Sequence, residues 1–122
     1  RMHVSQMGGI TPARKAADFA HAYGIRTAWH GPGDTSPVGH AANLHLDIWS
    51  PAFGIQEWYR PSDIEYEMFP GLPQVNDGYL YPNDQPGLGI DINEEMAADY
   101  PVAEIVEEWT QARLPDGSAV RP

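Results

Sequence analysis

The stretch Ile25-Arg26-Thr27-Ala28-Trp29-His30, followed by Gly31-Pro32-Gly33-Asp34 and then Ser36-Pro37, decides how the chain is read. Ile25 to His30 is a short extended candidate, and Gly-Pro-Gly breaks it sharply. Ser36 then offers an N-cap oxygen, and Pro37 takes the first helical position, where its missing N–H costs nothing. The spacing predicts a helix from there to about Trp49. Toward the amino end the same syntax recurs. Met2 to Ser5 reads as a strand ended by Gly8-Gly9, with Thr11 as N-cap and Pro12 at the first helical position. Ala16, Phe19, Ala20 and Tyr23 fall at i, i+3, i+4 and i+7, one face of a helix, and Gly24 closes it. Toward the carboxyl end, Phe53 to Trp58 reads as a third strand. Residues 1–58 thus spell strand–helix–strand–helix–strand, the rhythm of a parallel α/β sheet with right-handed crossovers.

No such rhythm follows Trp58. Residues 59–92 are rich in Pro and Gly and read as an irregular excursion with short extended pieces. Asn93 is expected to cap a short helix with Glu94 and Glu95 in its first turn, where the helix dipole favours acids. Residues 110–122 read as an irregular tail. The expected organisation is therefore 1–58 and 59–122.

Composition supports that division. The 122 residues carry Lys+Arg 7 against Asp+Glu 17, a formal charge of −10, with an isoelectric point near 4.6. Residues 1–62 are nearly balanced, with five basic and four acidic side chains, and hold all five His; residues 63–122 set thirteen acids against two arginines. This balance argues against a phosphate-backbone partner, so no nucleic acid is expected. No run approaches the roughly 18 apolar residues of a membrane span. The lack of Cys excludes disulfides, thiolate metal sites and a Cys nucleophile, and fits a reducing, cytoplasmic setting.

In βα units the functional loops leave the carboxyl ends of the strands. His30 and Asp34 flank the loop after the second strand, where Gly31 and Gly33 let the backbone turn tightly. Spacing alone leaves His30 open between a cavity-facing imidazole and a core histidine bonded to a carbonyl. Asp34 is open between a site carboxylate and the cap of the following turn. Glu57 sits among apolar residues at the end of the third strand, where an unpaired carboxylate is costly, so it is expected to have a partner or a ligand. His40 and His45, five apart, diverge on a helix and read as packing or surface residues. Gly31-Pro-Gly33 and Gly87-Leu-Gly89 lack the third Gly of a dinucleotide loop. Asp91-Ile-Asn93-Glu-Glu95 has Met96 where a calcium loop requires Gly. The aromatics of the second half (Tyr59, Tyr66, Phe69, Tyr79, Tyr81) read as packing.

Several of these pieces recur in order in one family. Gly8-Gly9-Ile10-Thr11, His30-Gly-Pro-Gly-Asp34 with Ser36-Pro37, Asn43-Leu44-His45 and Phe53-Gly-Ile-Gln-Glu57 resemble the carboxyl-terminal part of the mannonate dehydratase family of the enolase superfamily. Asp77-Gly-Tyr-Leu, Pro86-Gly-Leu-Gly-Ile-Asp91 and Leu114-Pro-Asp-Gly-Ser118 resemble its closing segment. The resemblance implies a (β/α) TIM-like barrel of which this chain supplies the last three strands, plus an irregular segment that packs with a capping domain. It implies a dehydratase that converts a sugar acid such as D-mannonate or D-gluconate to a 2-keto-3-deoxy acid, with Mg²⁺ stabilising the enediolate. Arg1, His30, Asp34 and Glu57 match substrate-contacting positions.

The family's metal-ligating carboxylates and its proton-transferring Tyr and His belong to segments before Arg1, so neither catalytic acid/base residues nor metal ligands are expected in this chain. Val120-Arg121-Pro122 stands where mannonate-specific members carry a Trp, an ending more like the subgroup of gluconate-active, weakly active and starvation-sensing members. A non-catalytic sugar-acid sensor on the same scaffold is the alternative. The resemblance also implies a homo-oligomer. A closed barrel takes roughly 250 residues, and the opening residues read as a strand already in progress. The expectation is thus a part of a longer enzyme, inactive alone.

Overall fold

The computed structural model describes residues 1–102 and 113–117. Three extended segments lie side by side, with the middle one (25–30) between the other two. Met2 bridges Trp29 in parallel, and Thr27 bridges Phe53 in parallel. Each bridge has the slanted bond pair of a parallel ladder. The Met2 N–H donates to the Ala28 carbonyl at 3.1 Å and the His30 N–H to the Met2 carbonyl at 2.7 Å. The Thr27 N–H donates to the Ala52 carbonyl at 2.7 Å, and the Gly54 N–H to the Thr27 carbonyl at 3.0 Å.

These segments are shorter than the sequence predicts. The first leaves the ladder after His3, because residues 4–8 coil into turns in which the Met7 N–H donates to the His3 carbonyl. The third pairs only around Phe53. Near its end the Gly31 amide is taken by the Glu57 carboxylate instead of a backbone carbonyl.

Helices α1 (Ile10–Ala22) and α2 (Pro37–Trp49) connect the segments. At α1 the expected cap is wrong. Gly9, with φ 103°, is the N-cap and no side chain caps the end. Only glycine takes that backbone angle at no cost, so the helix begins before Thr11. Pro12 then falls third, still among the amides that have no intrahelical acceptor. Gly24 closes the helix at φ 66°. Its N–H donates to the His21 carbonyl and that of Ile25 to the Ala20 carbonyl, the paired bonds of a Schellman motif.

The buried face of α1 also differs from the one expected. Ala13, Ala17 and Ala20 face inward, whereas Phe19 and Tyr23 are exposed and stack on each other at 4.8 Å. Small side chains let α1 approach the sheet closely, so that Val4, Ala13, Ala17, Trp29 and Leu46 form one cluster with Met2 and Met7 against it.

Helix α2 begins as predicted. Ser36 Oγ accepts from the Gly39 N–H at 3.1 Å, a cap worth about 1 kcal/mol. Its inner face is unusually polar, because His40, Asn43 and Asp47 are all buried. Burial pushes the Asp47 carboxyl up to about 7. The Trp29 indole N–H draws that value partly back, although neither Asp47 oxygen reaches a hydrogen-bond partner among the described residues. The folded chain thus keeps a proton that the unfolded chain, near the ordinary 3.8, has already lost. Stability from this group is complete below about pH 4 and declines as pH rises toward 7. Asp47→Asn in the full-length protein is therefore expected to stabilise at pH 8 by roughly 2–4 kcal/mol, and by much less at pH 4.5. Denaturation midpoints of both proteins at the two pH values check this.

Beyond residue 58, α3 (Asp63–Met68) is a helix that the sequence reading passes over. Ser62 and Glu65 form a capping box at its start, so the Ser-x-x-Glu spacing was an available signal. Strands β1 (Val75–Asn76) and β2 (Tyr79–Leu80) form a hairpin pairing Val75 with Leu80 and Asn76 with Tyr79. Asp77 and Gly78 both have positive φ, 48° and 81°, as a tight primed turn requires. Helix α4 (Glu94–Ala97) starts at Asn93 as predicted, with Asn93 Oδ1 accepting from the Met96 N–H at 3.1 Å. Most of the expected tail, at 110–112 and 118–122, lies outside the described residues.

Candidate functional site

The carboxyl ends of the extended segments border an open cleft of about 920 Å³, whose lining includes Arg1, His3, His30, Asp34, Asn43 and Leu88. Arg1 and His3, two residues apart on an extended segment, share a face. The His3 and His30 rings meet at 5.0 Å, and His3 Nδ1 pairs with Ser5 Oγ at 2.9 Å.

Glu57 joins three parts of this end of the sheet. Arg1 Nη1 donates to its Oε1 at 2.8 Å. Its Oε2 accepts from the Gly31 N–H at 2.9 Å and lies 3.3 Å from His30 Nδ1. The Gly31 amide, chiefly, and then the Arg1 and His30 charges hold the Glu57 carboxyl below the usual glutamate range, against the opposing effect of burial. The partner expected for this carboxylate from its apolar sequence setting is thus a cation and an amide from two other segments.

Asp34 lines the same cleft. It is exposed, and its carboxylate has no hydrogen-bond or ion-pair partner among the described residues, so it does not cap the following turn. The sequence-predicted residues are therefore brought together as a connected cluster of Arg1, Glu57 and His30, with Asp34 free on the rim. A guanidinium and imidazoles suit carboxylate or hydroxyl oxygens, and a free carboxylate suits hydroxyl protons.

Behind the cluster, α2 holds the loop. The Asn43 Nδ2 donates to the His30 carbonyl at 3.2 Å. His40 Nε2 bonds the Pro32 carbonyl at 3.2 Å, while its ring stacks on Tyr59 at 4.6 Å and meets Trp58 edge-on at 4.9 Å. Burial, the largest influence, lowers the His40 pKa, which favours the neutral ring. His45 diverges as its spacing predicts, and its Nε2 bonds the Leu88 carbonyl at 3.2 Å, fixing another part of the cleft rim. Sequence reasoning treated these histidines as packing or surface and gave Asn43 no role. The available signal was polar residues at i, i+3 and i+7 (His40, Asn43, Asp47) within an otherwise apolar helix face.

Among the described residues no group of three or more His, Asp or Glu gathers as a metal site. Glu57 is also poorly suited to a cation, since Arg1 and an amide N–H already face its two oxygens. The described residues do not form a magnesium site. No helix among the described residues is long and apolar enough to cross a membrane.

Parallel segments, connecting helices and a polar cluster at the carboxyl ends define a portion of a (β/α) barrel with its site-bearing face. Comparison with known proteins makes this specific: residues 1–96 match the enolase C-terminal domain-like family, and the chain belongs to it. A relative named D-galactonate dehydratase family member, from Enterococcus gallinarum, is 58% identical over the whole of this chain and 31% of its own length. A second so named, from Musicola paradisiaca, is 58% identical over 29% of its length. A crystal structure of an enolase from Pantoea ananatis with bound D-gluconate and Mg is similar at a TM-score of 0.82 and 56% identity, covering 98% of this chain and 29% of that one. The chain spans about three tenths of the length of these relatives. The fold is the C-terminal part of an enolase-superfamily barrel. Membership supports the superfamily, while the mannonate dehydratase resemblance is a finer statement than the matches carry.

Proposed function

We propose that this chain is the carboxyl-terminal part of an Mg²⁺-dependent sugar-acid dehydratase and supplies one side of its substrate pocket. The observation that carries this reading is the Arg1–Glu57–His30 cluster, with Asp34 free beside it, at the carboxyl ends of the barrel segments. The relatives' dehydratase names and the gluconate and Mg in the Pantoea structure support the reaction class. They favour a gluconate-type acid over mannonate.

In this reading the reaction removes the proton alpha to the carboxylate and expels the 3-hydroxyl as water, leaving a 2-keto-3-deoxy acid. The metal supplies enediolate stabilisation, and its ligands and the acid/base residues come from upstream of Arg1. Arg1 and His30 bind substrate oxygens, Asp34 accepts a hydroxyl proton in a hydrogen bond, and Glu57 orients Arg1 and His30.

The test is the full-length protein with a panel of sugar acids, with and without Mg²⁺, assayed for 2-keto-3-deoxy product. Formation of that product from a gluconate-type acid, abolished by chelation, is expected. Gluconate binding with no turnover of any acid would overturn the enzyme reading in favour of a sensor. The 122-residue chain by itself is expected to give no product under the same assay.

A further inference from the structure

Asn43 is 1% exposed and reaches the cleft from below. Its Nδ2 donates to the His30 carbonyl. The amide of the same peptide unit, the Gly31 N–H, donates to Glu57 Oε2 on the other side. A peptide unit is planar and trans, so its C=O and N–H point in opposite directions. The two bonds therefore grip one rigid plate from both faces of the loop. One turn earlier on α2, His40 bonds the Pro32 carbonyl, so the plate cannot be relieved by rotation of the next residues without breaking a second contact.

We propose that Asn43 is a positioning residue: by holding the His30–Gly31 peptide it aims the Gly31 amide at the Glu57 carboxylate and so sets the geometry of the Arg1–Glu57–His30 cluster. Its consequence for catalysis rests on the function proposed above; its effect on Glu57 does not. A plain packing role would leave Glu57 indifferent to the chemistry at position 43. The second polar atom of this side chain, Oδ1, is buried and has no hydrogen-bond partner among the described residues. Asn43→Leu thus removes one unsatisfied oxygen while leaving the His30 carbonyl unpaired, two effects of opposite sign on stability. That substitution separates folding from positioning.

The experiment uses the full-length protein labelled with carbon-13 at the glutamate carboxyls, the Glu57 signal being assigned by its loss in Glu57→Gln. In Asn43→Leu the Tm is expected to move by only a few degrees. The Glu57 titration midpoint is expected to rise toward the ordinary carboxylate range by about half a pH unit or more. Exchange of the Gly31 amide is expected to accelerate about tenfold or more. A folded variant with both readouts unchanged overturns the proposal. If Asn43→Leu does not fold, Asn43→Ala must show the same shifts; failure of both to fold also overturns it, since Asn43 would then serve the fold alone. Neither readout needs substrate. A protein that shows these shifts yet dehydrates no sugar acid overturns the functional reading and leaves the positioning role standing.

Discussion

On the function proposed above, Gly31→Ala is expected to cost the full-length protein about 100-fold or more in sugar-acid turnover, the scale of a misplacement near 1 Å in a reacting site. A Cβ at this position would collide with the Glu57 main-chain oxygen, and would come within 3.0 Å of His40 Cε1 and 3.3 Å of Gln56 Nε2. The first of these neighbours is backbone and the second is a buried ring stacked on Tyr59, so neither can swing aside. The loop must move instead, and with it the amide that Glu57 accepts. Overpacking of this kind destabilises by roughly 1–3 kcal/mol. Steady-state kinetics and a melting curve of the same sample check both effects. Near-wild-type turnover would show that the loop tolerates displacement and that its backbone does not set the site.

Glu57→Gln is the second large effect. The amide keeps the size of the side chain but loses the charge that holds Arg1, and it cannot offer an anionic oxygen to the Gly31 N–H and to His30 together. A loss of roughly 10²–10³ in kcat/KM is expected, the range for removal of one preorganised electrostatic contact. Stability should change little near neutral pH, by less than about 1 kcal/mol, because the Arg1 and Glu57 side chains are 58% and 33% exposed and such pairs are weak in water. The Glu57 pKa is lowered in the fold. Its stabilising contribution is therefore present above the ordinary value of 4.5 and disappears as pH falls through the folded value. The small stability gap between wild type and variant should close on acidification, while the kinetic gap remains at neutral pH. A variant with unchanged kcat/KM would remove Glu57 from the proposed site.

The legibility of the chain followed the range of the interactions involved. Ser36-Pro37 and Asn93 announced their helices because a cap is a bond between residues three apart, written wholly in local sequence. The same local grammar was present at Ser62 and Glu65 and could have been read. At Thr11 it misled, because a positive φ at Gly9 started the helix first. Hydrophobicity placed Phe19 and Tyr23 inward, but Ala13, Ala17 and Ala20 face the core and both rings are exposed.

By itself the sequence determined the order of elements over residues 1–58, the parallel α/β class and, through its ordered motifs, the enolase superfamily. Those features depend on side-chain types at short, fixed spacings. Only the tertiary structure decided what the polar residues do. Arg1 and Glu57 are 56 positions apart and meet because the two parallel segments that flank residues 25–30 bring their ends to one edge. Asn43 faces the His30 carbonyl because α2 crosses back beneath the loop. No local spacing encodes either contact, since both arise from the crossover that folds the chain onto itself.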